Sequence, residues 1–220
     1  MTKDPVDHVH QTLSDASVAL HDLLGNRPAQ EAIAGAGQLL STALAAGRRV
    51  YSCGNGGSMC DAMHFAEELS GRFRLDRPAL AATAISDPGH LSCVANDYGY
   101  EQVFSRYIEA HGQEGDCLLA ISTSGSSKNV VRAAQVARAR GLSVIALTGA
   151  PASVLADHSD LVVCTPGGRF ADRVQELHIK VIHILIELVE AGVFQSTTPG
   201  MANPGRAPSG GTAGQPNSSS

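Results

Sequence analysis

The stretch Arg49-Val50-Tyr51-Ser52-Cys53-Gly54-Asn55-Gly56-Gly57-Ser58, continued by Met59-Cys60-Asp61-Ala62-Met63-His64-Phe65-Ala66-Glu67-Glu68-Leu69-Ser70, passes from a short apolar run through a glycine-rich turn into a segment of helical period. The run is strand-length, and the glycines stop it. Strand, tight turn and helix in succession form the repeating unit of an open α/β sheet. The pattern recurs. Leu80–Ile85, Asp116–Ser122, Ser143–Thr148 and Asp160–Thr165 are further short apolar runs ending in glycine or hydroxyl residues. Their lengths and β-branched content predict strands, and runs apolar throughout suit a parallel sheet covered on both faces.

Helical spacing occupies Ser58–Ser70, Ser127–Arg140 and about Ala171–Gly192, the last ending at a glycine, a common helix stop. Two helices, around Val6–Leu24 and Ala29–Ala46, precede the first strand. The predicted fold is therefore α/β, a parallel five-stranded sheet flanked by helices, with an N-terminal helical pair. Val9, Leu13, Val18, Leu20 and Leu23 form an apolar stripe on the first helix that must be covered, within its own domain or across an oligomer interface. Residues 1–195 read as one domain. From Ser196 to Ser220 there is no Leu, Ile, Val or aromatic residue, and Pro199, Pro204, Pro208 and Pro216 alternate with small polar residues. Such a Pro/Gly/Ser-rich tail buries too little apolar surface to offset its ordering entropy, and is expected to be disordered.

Composition excludes several classes. The 220 residues are 43% hydrophobic and 17% charged, ordinary for a globular chain. Twenty-one acidic against 16 basic side chains leave a net charge of −5, the wrong sign for a protein that tracks nucleic-acid phosphates. No run of about 18 apolar residues predicts a membrane span, and the polar N-terminus lacks the plan of a secretory signal. Five scattered cysteines, with no CxxC pair, argue against a disulfide framework and for a reducing cytoplasm.

Ligands of open α/β sheets bind beyond the carboxyl ends of the strands, so two turns matter. Ser52–Ser58 places glycines where backbone can approach a ligand closely, ahead of a helix with unpaired N–H groups. A dinucleotide fingerprint needs glycine at position 59, which is Met59. Ile121-Ser122-Thr123-Ser124-Gly125-Ser126-Ser127-Lys128-Asn129 puts five hydroxyls within six residues ahead of another helix. Hydroxyls, freed amides and a helix dipole suit a phosphate; a solvated loop with an N-cap is the plainer alternative. His64 and Glu68, four apart, share a helix face, with Glu67 also in reach of His64. This spacing suits a metal, an acid/base pair or an ordinary surface pair. On the last helix His183 lies within Val181-Ile182-His183-Ile184-Leu185-Ile186 and is expected to be buried.

The glycine turn with Cys60–Leu69, Ala95-Asn96-Asp97, Ile121–Gly125 and Ala171–His183 together resemble the phosphoheptose isomerase family, in one order along roughly residues 5–194. The resemblance implies the three-layer sugar-isomerase (SIS) fold, of flavodoxin-like type. It implies interconversion of sedoheptulose 7-phosphate and D-glycero-D-manno-heptose 7-phosphate, a step toward nucleotide-activated heptoses. Carried over by motif, Ser58, Ser122, Thr123, Ser124 and Ser127 cradle phosphate, and Asn55, Gly56, Gly57, Asn96 and Asp97 contact the sugar phosphate. Glu68 and His183 form the acid/base pair. His64, Glu68, Gln175 and His183 hold one zinc ion per subunit, which also makes Glu68 and Gln175 part of the substrate site. Arg72 and Asp172 match as well, as supporting or substrate contacts. A homotetramer with sites near subunit contacts is implied.

Gln175 and His183 are eight residues apart, about 12 Å along a continuous helix. They reach one ion only if their side chains lean together, if Gln175 lies on a frayed first turn, or if it serves a neighbouring subunit; the last is favoured. A non-catalytic SIS relative, an adaptor for the bacterial replication initiator, is expected to have lost the acid/base constellation. Its presence here favours an enzyme. An isomerase of another sugar phosphate and a dinucleotide enzyme are the remaining alternatives.

Overall fold

A computed structural model describes residues 4–168 and 170–194; the tail reading of 196–220 lies outside them. Helices α1 (Pro5–Gly25) and α2 (Arg27–Ala45) come first. Asp4 caps α1 through the Val6 amide, with Pro5 at the first helical position, and Asn26 caps α2 through the Ala29 amide. Both are side-chain acceptors for amides the helix leaves free. Then follow β1 (Val50–Cys53), α3 (Gly57–Ser70), β2 (Ala82–Ala84), α4 (Pro88–Tyr98), a 3-10 turn (Tyr100–Gln102), α5 (Val103–His111) and β3 (Cys117–Ser122). The described residues end with α6 (Lys128–Ala139), β4 (Ser143–Thr148), α7 (Val154–Asp157), β5 (Leu161–Cys164) and α8 (Ala171–Phe194).

The five strands are all parallel, in the order β2-β1-β3-β4-β5. Strand alternation divides the core in two. Cys117, Leu119 and Ile121 of β3, with Ile145 and Leu147 of β4, face a layer containing α2, α3 and α8. Leu118, Ala120, Val144 and Ala146 face a second layer containing α5 and α6. Burial on both faces is why these strands read as continuous apolar runs. Burial also pushes the Cys53 and Cys117 thiols up to about 12, far from a reactive thiolate.

Three differences from the sequence reading have physical causes. The Leu80–Ile85 run pairs as a strand only over Ala82–Ala84, because β2 is an edge strand with β1 as its one neighbour. Between that run and Asp116 the helical spacing gave no bounds; the structure has two helices there, α4 and α5, and α5 buries Val103, Phe104, Ser105 and Ile108. Val94 is the one buried residue of α4, so the helix carries almost no periodic signal, and its start is marked only by the Asp87 cap and Pro88. On α8 the deeply buried imidazole is His178, not His183. Val174, His178, Val181, Ile182, Leu185 and Val189 form the inward stripe, and His183 lies half-buried on its flank.

Burial lowers the His178 pKa to about 4, with a slight opposing pull from the Thr148 carbonyl. That carbonyl faces the ring, yet neither ring nitrogen has a partner in hydrogen-bond geometry. His178 therefore stays neutral in the folded chain, while its unfolded counterpart protonates near pH 6.5. Stability from this group is present above pH 6.5 and is lost as pH falls toward 4. Denaturant unfolding at pH 7 and pH 5 tests this: about 2 kcal/mol of the acid-side loss should disappear in His178→Leu. The same loss in wild type and variant would remove His178 from that role.

Candidate active site

α3 and α8 lie side by side, running in the same direction. At their start, Gly57 has no Cβ because one would meet the Gln175 side-chain amide at 2.6 Å. Two turns further on, His64 Nε2 and His183 Nε2 are 3.1 Å apart. Glu68 Oε1 is 3.5 Å from the same His64 nitrogen, while Glu67 Oε1 is 3.8 Å from Nδ1 on the other side of the ring. The two carboxylates bracket one imidazole. The structure thus brings His64, Glu68 and His183 to one point and sets Gln175 a little more than two helical turns before His183, against the glycine turn. A cavity of about 530 Å³, lined in part by Cys60, Met63, His64, Glu67 and Ser86, opens beside this cluster.

The cluster has the chemistry and the spacing of a metal site. Two ligands of a tetrahedral zinc at about 2.05 Å stand about 3.3 Å apart, and the observed separations of 3.1 and 3.5 Å fall on either side of that value. Glu67, on the Nδ1 side, is 68% exposed and at 3.8 Å lies beyond hydrogen-bond distance. The electrostatics favour neutral imidazole. The His183 pKa is lowered by burial first, then by His64 and Lys180, with Glu68 pulling the other way. Asp61, one turn before His64, is pushed up to about 6 by burial, and its Oδ2 is buried without a partner.

The serine loop follows β3. Gly125, with φ +64°, turns the chain; a Cβ there would meet Ser153 Oγ at 2.3 Å. The loop is anchored by Leu155 N–H donating to the Gly125 carbonyl and Gly149 N–H to the Thr123 carbonyl, both at 3.0 Å. Ser127 stands at the N-cap of α6 without capping it; its hydroxyl lies 3.1 Å from Ser122 Oγ instead. Ser122 is buried, Thr123 and Ser127 are half-buried and Ser124 is exposed. Ser58 is buried in the first turn of α3, and Gly56 N-caps that helix with φ +55°.

One reciprocal amide pair joins the two turns. Asn129 Nδ2 donates to Asn55 Oδ1 at 2.8 Å, and Asn55 Nδ2 returns a bond to Asn129 Oδ1 at 2.9 Å. Tyr100 Oη adds a third contact to Asn55 Oδ1 at 3.2 Å. Asn96 and Asp97 bond to each other at the exposed end of α4. Arg72 and Asp172 are also exposed, and Asp172 Oδ1 accepts from the Arg173 amide at 2.8 Å.

This sheet, with its glycine turn and serine loop, has close relatives. An SIS domain sequence profile matches residues 19–149. The phosphoheptose isomerase of Edwardsiella ictaluri is 53% identical over 184 residues, 84% of this chain and 95% of that protein. The chain belongs to the phosphoheptose isomerase family. The structure of the Francisella tularensis phosphoheptose isomerase superposes with a TM-score of 0.79 at 32% identity, over 86% of this chain and 98% of that one. The Neisseria gonorrhoeae phosphoheptose isomerase gives 0.72 at 35%, over 84% and 96%.

Within this family fold, two positioning residues carry little sequence signal. Asn129 carries no signal beyond following the serine run. Arg77 sits in an aperiodic loop. Its guanidinium donates to the carbonyls of Glu68 at 2.6 Å and Leu69 at 2.7 Å, and to Glu190 Oε1 at 2.8 Å. It thereby ties the end of α3, next to Glu68, to α8. The pair is largely buried, with side-chain exposures of 7% and 21%. Removing one partner of such a pair leaves a buried charge uncompensated. Arg77→Met should cost about 3 kcal/mol in urea unfolding; a loss below about 0.5 kcal/mol would class it with exposed surface pairs.

Proposed function

We propose that the chain interconverts sedoheptulose 7-phosphate and D-glycero-D-manno-heptose 7-phosphate, an aldose–ketose isomerisation through an enediol(ate) that leads toward nucleotide-activated heptoses. In a member of this family, the observation that carries the proposal is the meeting of Glu68 and His183 around His64, at the sheet end where Asn55 and Asn129 join the glycine turn to the serine loop. A proton must move between C1 and C2 while another moves between their oxygens. Glu68, with 18% of its side chain exposed, is the carboxylate to take the carbon-bound proton and return it to the neighbouring carbon. His183, kept neutral, offers one donor and one acceptor nitrogen for the oxygens.

The phosphate is assigned to Ser58, in the first turn of α3, and to Ser122, Thr123, Ser124 and Ser127 of the loop that leads into α6, whose N-cap Ser127 makes no side-chain capping bond. Asn55, Gly56, Gly57, Asn96, Asp97 and Gln175 are assigned to the sugar chain. His64, Glu68 and His183 meet as donors for one zinc ion per subunit, and family resemblance adds Gln175, which lies against Gly57. Bound there, the ion would polarise the carbonyl and stabilise enediolate charge, with Glu68 and His183 free for proton transfer only while they do not ligate it. A homotetramer is supported by α1, which buries Ala19 and Leu23 but leaves Val6, Val9, Leu13, Val18, Leu20 and Leu24 exposed. Among the described residues no helix is long and apolar enough to cross a membrane. Five free cysteines support a reducing cytoplasm.

Incubation of the full chain with sedoheptulose 7-phosphate, followed by NMR, should show the aldose product, with a lower rate after chelation that zinc restores. Product without sensitivity to chelation removes the metal and keeps the isomerase; no product from assembled protein overturns the assignment. Glu68→Gln and His183→Gln should each lower kcat by about 10²–10⁴-fold with the oligomer intact. Near-normal turnover in either would remove that residue from proton transfer. Ser124→Ala should raise KM more than it lowers kcat, since phosphate lies far from C1 and C2. The reverse pattern would mean that phosphate contacts act in the transition state.

A further inference from the structure

Lys128 is the first residue of α6, directly after Ser127 of the serine loop. Its ammonium is exposed but paired. Nζ donates to Glu101 Oε1 at 2.8 Å, and Glu101 belongs to the same 3-10 turn as Tyr100, which bonds Asn55. Asn55, Tyr100, Glu101, Ser127, Lys128 and Asn129 line one cavity of about 260 Å³. A turn from another part of the chain thus holds a lysine at the mouth of a loop whose other donors are neutral hydroxyls and amides.

We propose that Lys128 is a further phosphate-binding residue, held in reserve by Glu101, and that the sugar phosphate takes its ammonium from that carboxylate on binding. The proposal rests on the serine loop being the phosphate cradle. Three observations carry it. The pair is exposed, with side-chain exposures of 78% and 61%, so it contributes little stability and is easily exchanged. Lys128 has a four-carbon stem beside Ser127, which gives its ammonium reach over the loop, and a phosphate with up to two negative charges attracts it more strongly than one carboxylate does. Arg132, one turn further along α6, lines an adjoining cavity of about 320 Å³ with Glu101 and Lys128 and has no ion pair among the described residues. It is placed to receive Glu101 when Lys128 leaves. Glu101 then acts as a competitor of the substrate's phosphate at the rim, and the Tyr100–Glu101 turn carries the exchange to Asn55.

The test is calorimetric titration of inorganic phosphate and steady-state kinetics on the full chain. The proteins are wild type, Lys128→Gln, Glu101→Gln, the double variant and Ser124→Ala. Lys128→Gln should weaken phosphate binding by about tenfold, the scale of one charge-assisted hydrogen bond, and raise KM more than it lowers kcat. Glu101→Gln should tighten binding by about two- to fivefold, and that gain should vanish in the double variant. Unchanged phosphate affinity in Lys128→Gln, with affinity lost in Ser124→Ala, would overturn the proposal and leave the cradle standing. Weaker binding in Glu101→Gln would make Glu101 a support of the site and overturn its role as competitor. A wild-type chain that binds no phosphate would overturn the cradle and the lysine together. Both positions are exposed, so each variant should melt within about 2 °C of wild type, which separates a binding effect from a folding one.

Discussion

α8 packs along α3 on one face of the sheet, and the reactive cluster exists only because of that contact. His64 and Glu68 belong to one helix, His183 to the other, and the two imidazole nitrogens are 3.1 Å apart. The helices come this close at their start because Gly57 leaves room for the Gln175 amide. Near their far end Arg77 bonds two α3 carbonyls and Glu190 of α8. The inward faces bury Phe65, Leu69, Leu177, Val181 and Leu185 in one core. The site therefore shares the rigidity of the sheet, as acid/base groups require if they are to stay aligned with a small substrate.

The second constraint is the joining of two strand ends. β1 and β3 are hydrogen-bonded neighbours, so their following turns emerge side by side. The Asn55–Asn129 amide pair then locks the glycine turn to the start of α6. The proposed sugar phosphate suits such a frame if its phosphate sits at the serine loop and its reacting carbons lie toward α3 and α8. Charge is distributed accordingly. The serine loop presents neutral hydroxyls and amides, while Lys128, directly after it, is paired with Glu101. Burial and neighbouring cations keep His183 neutral, and burial alone does so for His178.

Much of this was legible in the amino-acid order because local rules and burial agree. Strands buried on both faces must be apolar throughout, so β1, β3 and β4 were visible as runs, and their glycine or hydroxyl ends marked the turns that follow. The pairing of His64 with Glu68 follows from helical spacing alone. Where burial is slight the signal fades: α4, with Val94 as its one buried residue, has no stripe to read, and β2 at the edge is shorter than its apolar run.

The amino-acid order alone thus determined the α/β class, the five strands, the two ligand-facing turns and the identities of the polar residues on them, because each depends on a period or on neighbours within a few residues. Only tertiary structure decided which of those residues meet. The 119-residue separation of His64 and His183, the amide pair across 74 residues, the reach of Arg77 to Glu190 and the hold of Glu101 on Lys128 across 27 are long-range contacts. Within α8, inward or flanking position is a matter of rotation about the helix axis. His178 became the buried neutral ring and His183 the half-buried reactive one because their angular positions differ, and that angle is fixed by packing against the sheet and α3.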